Sequence, residues 1–265
     1  CSIRGGMVTF PTMIRHLSHS TMHVSTCPRP RAVGACGVRT VAVLLLFFGM
    51  CHLIGPDAWA QGTPRKNSAF VIARVKFNGG GDWYNDPSSE FNMLRFLKQN
   101  TRIEVNVKTE EIVEVGSERL FDYPFAFMTA HGSINLSDRE AANLRHYLEN
   151  GGFLYVDDDY GFDKPFRREL KKVFPDRELV ELPFDHPIYH AHFSFPNGLP
   201  KIHEHDNKPP QGFGIFHEGR LVLYYTYETN LADGWADADV HKNPEEVRLK
   251  ALQMGLNIIV FALTQ

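Results

Sequence analysis

Blocks of apolar and polar residues predict the strands and helices of the chain from residue 70 onward. Residues 70–77 are rich in β-branched and aromatic side chains, which favours a strand. Residues 87–99 carry apolar side chains at helical spacing, and residues 103–107 predict a second strand. Residues 213–226 predict a β-hairpin whose turn lies at residues 217–220.

The clearest unit lies in the middle of the chain. Residues 125–130 form a continuous apolar run, as expected of a strand that is covered on both faces. Ser137 and Glu140 have the spacing of a capping box that opens a helix, and Gly151 suits the position that closes it. Residues 153–156 predict the next buried strand. A strand, a helix and a second strand in this order predict two parallel strands.

Two more helices complete the expected fold. One covers residues 162–174, and Pro244 is expected at the first position of the last helix. We therefore predict a three-layer α/β domain over residues 70–265. Its sheet is mostly parallel, as in flavodoxin, with a C-terminal hairpin and helix.

The first 60 residues differ in composition from the rest. They contain five arginines, no lysine and one acidic residue, followed by an apolar run and Ala58-Trp59-Ala60. This order is typical of a secretory signal peptide, so we predict cleavage between Ala60 and Gln61. Residues 61–69 are then a linker, and the protein is expected to be periplasmic or secreted. Because the chain opens on Cys1, its recorded start is open to question. The one membrane attachment that we consider is a signal peptide that stays uncleaved and acts as an anchor.

Charge and cysteine content restrict the expected chemistry. Without the first 60 residues, the chain has 23 basic residues (28 minus 5) and 30 acidic residues (31 minus 1), a net charge of −7. This balance disfavours a nucleic-acid partner, because phosphate binding needs clustered cations. All four cysteines lie between Cys1 and Cys51, which excludes a cysteine nucleophile from the predicted domain.

Three polar clusters follow predicted strands, where ligands bind in parallel sheets. His131, Asp157 and Asp159 are the candidate catalytic residues, and Asp157 and Asp159 are expected on one side of their strand. The alternatives are a structural histidine, a tight glycine turn and an aspartate that caps a helix. The candidate binding residues are Gly80, Gly81, Asp82, Trp83, Tyr84 and Tyr160.

A histidine-rich stretch is the candidate metal site. His186, His190 and His192 lie close together in the sequence, and neutral imidazole binds zinc, copper or nickel. An ordinary loop is the alternative, since no known zinc motif fits. We name no other cofactor than a divalent metal ion.

Residues 79–84, 148–158 and 185–189 together resemble the bacterial domain-of-unknown-function family 4159. The family is similar at one remove to class I glutamine amidotransferases, in which a nucleophile elbow follows the strand that corresponds to residues 153–156. Here the strand leads to Asp157-Asp158-Asp159, and the position of the cysteine carries aspartate. The resemblance therefore implies the fold without thiol amidotransferase activity.

Two functions follow as hypotheses. The first is a non-catalytic binding module of the cell envelope, whose ligand is an envelope protein, peptide or glycan. The second is a metal-assisted hydrolase that acts on an envelope substrate through Asp157, Asp159 and His131. For the second, we expect Asp82, His131 and Asp157 to converge on one point.

Overall fold

A seven-stranded sheet forms the centre of the part of the chain that the computed structural model describes, residues 69–203 and 205–265. The order of the strands across the sheet is β2-β1-β3-β4-β7-β6-β5. The predicted signal peptide and all of the linker except residue 69 lie outside the described residues. The strands are β1 (Ala73–Lys76), β2 (Glu111–Glu114), β3 (Phe125–Ala130), β4 (Phe153–Asp158), β5 (Val180–Glu181), β6 (Gln211–His217) and β7 (Arg220–Tyr227).

The pairing confirms a mostly parallel α/β sheet, consistent with a flavodoxin-like fold. Strands β2, β1, β3, β4 and β7 pair in parallel, whereas β6 and β5 add to one edge in antiparallel orientation. The predicted hairpin joins β6 to β7 through Glu218 and Gly219. Both turn residues have positive φ, 50° and 81°, as a two-residue hairpin turn that follows the twist of the strands requires.

Helices cover both faces of the sheet. The six α-helices of the described residues are α1 (Ser89–Asn100), α2 (Asp138–Glu149), α3 (Asp163–Val173), α4 (Leu231–Trp235), α5 (Ala238–His241) and α6 (Glu245–Thr264). Helices α2 and α3 enclose one apolar core against the sheet, and α1, α4 and α6 enclose the other. The capping box of Ser137 and Glu140 is confirmed at the start of α2. Gly151 follows this helix with φ of 102°.

Helix α6 is long and apolar enough to span a membrane by length and composition alone. In the structure it is a helix of the core, because the stretch from Met254 to Ile259 is buried beneath the sheet. Pro244 is the N-cap of this helix, one residue before the position we predicted.

The predicted strand at residues 103–107 is wrong. Only Val105 of this segment forms a bridge, with Phe70, and β2 lies further along the chain at Glu111–Glu114. β2 lies at one edge of the sheet. Val113 is buried, its neighbours Ile112 and Glu114 are exposed, and Glu111 is partly exposed. Because two of its four residues are glutamates, β2 does not form an apolar run in the sequence. Charged side chains are common on edge strands.

Candidate functional site

Four parallel strands end at the same edge of the sheet, where their loops meet. Strand β1 pairs with β2 on one side and with β3 on the other. The chain therefore passes from β2 across β1 to reach β3, and the strand order reverses between β1 and β3. In open α/β sheets ligands bind in the crevice at such a reversal. The loops after β1, β3, β4 and β7 carry the candidate residues.

The glycine segment after β1 packs tightly against the loop after β3. Gly81 donates its N–H to the carbonyl of Ser133 at 2.7 Å, and a Cβ on Gly81 would lie 2.7 Å from that same oxygen. A Cβ on Gly79 would meet the backbone of Asn135 at 2.4 Å. Gly80 has open space around it. Gly79 and Gly81 therefore allow two loops to approach each other, and Gly80 faces outward.

His131 lies between two carboxylates at the centre of this edge. Its Nδ1 is 3.0 Å from Oδ2 of Asp82, and its Nε2 is 3.0 Å from Oδ1 of Asp159. Its backbone N–H donates to Oδ1 of Asp82 at 2.5 Å. The His131 side chain is 50% exposed, the Asp82 side chain 35% and the Asp159 side chain 3%.

Asp159 is held by two asparagine side chains in addition to His131. Asn85 donates its Nδ2 to Oδ2 at 2.6 Å, and Asn230 donates its Nδ2 to Oδ1 at 2.8 Å. The backbone N–H of Tyr160 donates to Oδ1 at 3.0 Å. Burial raises the pKa of Asp159, and the charge of His131 opposes the rise.

The other two aspartates of this strand end have structural partners. Asp157 is fully buried, accepts from the hydroxyl of Thr226 at 2.5 Å, and accepts from the N–H of Ala232 in α4 at 2.7 Å. Asp158 accepts from the N–H of Phe162 at 3.1 Å, at the start of α3. Burial raises the pKa of Asp157 to about 7 and that of Asp158 to about 8.

The structure does not bring all the sequence-predicted residues of this edge together. Asp82 and His131 are in contact, and Asp159 completes the row in place of Asp157. Among the described residues, Asp82, His131 and Asp159 do not bring three ligand atoms close enough together to hold one metal ion.

The predicted aromatic binding residues lie around this edge. Tyr84 and Tyr160 are 63% and 59% exposed. Trp83 packs partly against the core and meets Tyr84 edge-on at 5.4 Å between ring centroids. Tyr160 and His205 line an open groove of about 640 Å³ that continues past Asp158 to Lys208 and Tyr227.

The three histidines of the candidate metal site point to separate partners. Nδ1 of His186 accepts the N–H of Ile188 at 3.2 Å. Nε2 of His190 lies 2.9 Å from the carbonyl of Phe184. His192 packs its ring edge-on against Phe193 at 4.7 Å. In the part of the chain that the structure describes, they do not present ligand atoms to one ion.

A second cluster, which sequence reasoning missed, consists of Asp86, Asp233 and His241. Oδ1 of Asp86 is 2.7 Å from Nε2 of His241, and Oδ2 of Asp233 is 3.5 Å from Nδ1 of the same ring. Burial raises the pKa of Asp233 to about 9, and the carboxylates of Asp159 and Asp86 add to the rise. The available signal was that Asp86 and Asp233 follow β1 and β7, whose carboxyl ends share one edge.

The comparison with family models identifies the chain. A model described as "Domain of unknown function (DUF4159)" matches residues 71–263. The chain belongs to the DUF4159 family. No curated protein matches it. The matched range of this DUF4159 chain contains every residue of the two clusters described above.

Proposed function

We propose that this DUF4159 chain is an exported hydrolase that acts on a glycan or peptide of the bacterial cell envelope. The observation that carries the proposal is the position of His131, whose two ring nitrogens contact Asp82 and Asp159 at the reversal point of the sheet. A half-exposed imidazole that carboxylates orient is suited to proton transfer with a bound substrate.

The partners of His131 suggest how it acts. Asp159 is buried and tied by two asparagines, so it keeps the ring in place. Asp82 is the more exposed partner, and a substrate can displace it from Nδ1. With the ring hydrogen on Nε2 toward Asp159, the freed Nδ1 takes a proton from the attacking water. The water oxygen bonds to the substrate carbon, the bond from that carbon to the leaving group breaks, and Nδ1 returns the proton to the leaving group.

Digestion of purified cell-wall sacculi tests this proposal. We expect the purified protein to release soluble fragments, and we expect His131→Gln to reduce the rate at least 100-fold, in the range of a lost general base. His190→Gln is the matched control, because His190 lies in a separate loop with its own partners. Equal rates for His131→Gln and the parent protein would contradict the proposed role.

A binding module is the second candidate, and the two exposed tyrosines favour it. Tyr84 and Tyr160 beside an open groove can stack on sugar rings or peptide side chains. In that case the protein sediments with sacculi but releases no product, and Tyr160→Ala weakens sedimentation while His131→Gln does not.

A further inference from the structure

The cluster of Asp86, Asp233 and His241 joins residues that are distant in the sequence. Asp86 follows β1, Asp233 belongs to α4 and His241 ends α5. One ligand atom from each lies within 4.8 Å of the others. The Asp86 and Asp233 side chains are 7% and 2% exposed, and the His241 side chain is 26% exposed, so the cluster is largely shielded from water and open on one side.

Three buried side-chain oxygens, one in this cluster and two on asparagines that hold Asp159, have no hydrogen-bond donor among the described residues. Oδ2 of Asp233 lies 3.1 Å from Nδ1 of His203 and 3.5 Å from Nδ1 of His241, whereas its Oδ1 is buried without a donor among the described residues. The Asp233 carboxyl also lies within hydrogen-bond reach of the Asp86 carboxyl. Oδ1 of Asn230 and Oδ1 of Asn85 are also buried without a donor there. Both asparagines hold Asp159, whose carboxylate acts electrostatically on Asp233.

Among the described residues, neither lysine nor arginine forms an ion pair with the side chains of Asp86, Asp159 and Asp233. In the described ranges, the ion pairs of Asp86, Asp159 and Asp233 are all with histidine rings. Neighbouring buried carboxylates repel each other unless a proton or a cation lies between them. A bound cation would neutralise the pair and also supply a partner to the free Oδ1 of Asp233.

We propose that Asp86, Asp233 and His241 bind one divalent transition-metal ion, with zinc as the representative. Two carboxylate oxygens and one imidazole nitrogen are a ligand set that zinc accepts, and the fourth position stays open to water or substrate. His203 contacts Asp233 from outside the cluster and orients that carboxylate, as partners of metal ligands commonly do. The inference stands on this cluster alone and does not require the proposed hydrolysis.

Calorimetric titration with zinc chloride tests the site on purified protein that has been stripped with a chelator. We expect the parent protein to bind one zinc ion at saturation. We expect Asp233→Asn and His241→Gln each to reduce the zinc affinity at least 100-fold. His190→Gln and His192→Gln are the matched controls, because these histidines lie outside the cluster, and we expect them to bind zinc like the parent. No variant changes the cysteine content of the protein, so differences between variants do not arise from thiols.

Thermal unfolding of the same proteins gives a second readout. Zinc is expected to raise the melting temperature of the parent and of both controls, and to leave that of Asp233→Asn unchanged. His241→Gln changes a partly exposed side chain and keeps the test valid if Asp233→Asn does not fold. The proposal is overturned if zinc does not bind, if both cluster variants bind it normally, or if only the control variants lose it. If the protein does not hydrolyse sacculi, the proposed hydrolysis fails, but the zinc-binding measurement still tests the metal site.

Discussion

Arg74 connects the sheet to the loop that carries Asp82 and Asp86. We expect its replacement to lower the free energy of unfolding substantially. The side chain is 1% exposed within β1. Its guanidinium forms a two-pronged ion pair with Glu90 of α1, with Nη2 2.6 Å from Oε2. It also donates to the carbonyls of Trp83, at 3.0 Å, and Asn85.

The perturbation is Arg74→Met, which keeps most of the volume but removes all five donors of the guanidinium. Glu90, whose side chain is 7% exposed, is then a buried charge without a cation. Breaking a buried ion pair from one side costs about 3–5 kcal/mol. For a domain of about 200 residues, each kcal/mol lowers the melting temperature by about 2–4 °C, so we expect a fall on the order of 10 °C.

Urea unfolding followed by tryptophan fluorescence measures this free energy. We expect the double variant Arg74→Met/Glu90→Leu to recover part of the loss, because the uncompensated carboxylate is gone while the loop carbonyls still lack their donor. We also expect Arg74→Met to weaken zinc binding through Asp86. A loss below about 1 kcal/mol, or a double variant less stable than the single one, would refute this account of Arg74.

Three further predictions concern the sheet edge and the cores. Asp158 has its pKa raised from 3.8 to about 8 by burial, so the folded state keeps a proton that the unfolded chain loses. The contribution of Asp158 to stability therefore falls as pH rises from about 4 to about 8. Over that range, the free energy of unfolding of Asp158→Asn should rise relative to that of the parent by up to about 1.4 kcal/mol per pH unit. Urea unfolding at a series of pH values measures this difference. Gly152→Ala should cost about 1–3 kcal/mol in thermal unfolding, because the new Cβ would lie 2.3 Å from the Tyr147 ring. Trp235→Phe should cost about 2 kcal/mol in urea unfolding, because it leaves a gap and removes the 2.9 Å hydrogen bond to the Ala251 carbonyl.

Each of these predictions has a contradicting outcome. A stability difference between Asp158→Asn and the parent that stays constant from pH 4 to pH 8 would show that this carboxyl does not keep its proton in the folded state. A melting temperature of Gly152→Ala equal to that of the parent would mean that the Tyr147 ring moves aside freely. Unchanged stability of Trp235→Phe would mean that the surrounding core closes around the smaller ring.

Elements whose signals are local could be predicted without the structure. The stretch from β3 to β4 was readable because its apolar runs, its capping box and Gly151 depend on neighbours within a few residues. Strand β2 was not readable in this way. Its pairing with β1 joins residues 38 positions apart, such as Ala73 and Glu111, and its own sequence is half charged.

The candidate site shows the same division. Placement at strand ends correctly located His131, Asp82 and Asp159 at one edge, because parallel strands direct their carboxyl ends the same way. The histidines from His186 to His192 are neighbours in the sequence, yet each side chain finds a separate partner there. Proximity along the chain does not set the direction of side chains in irregular segments.

The sequence by itself determined the family resemblance, the α/β class and the absence of a cysteine after Cys51, because these depend on residue identity and short-range order. Only the tertiary structure decided which carboxylates share a site. Asp86 and His241 meet at 2.7 Å although 155 positions separate them. That contact arises because the loop after β1 and the helices after β7 end at one edge of the sheet, a position that packing of the whole domain sets.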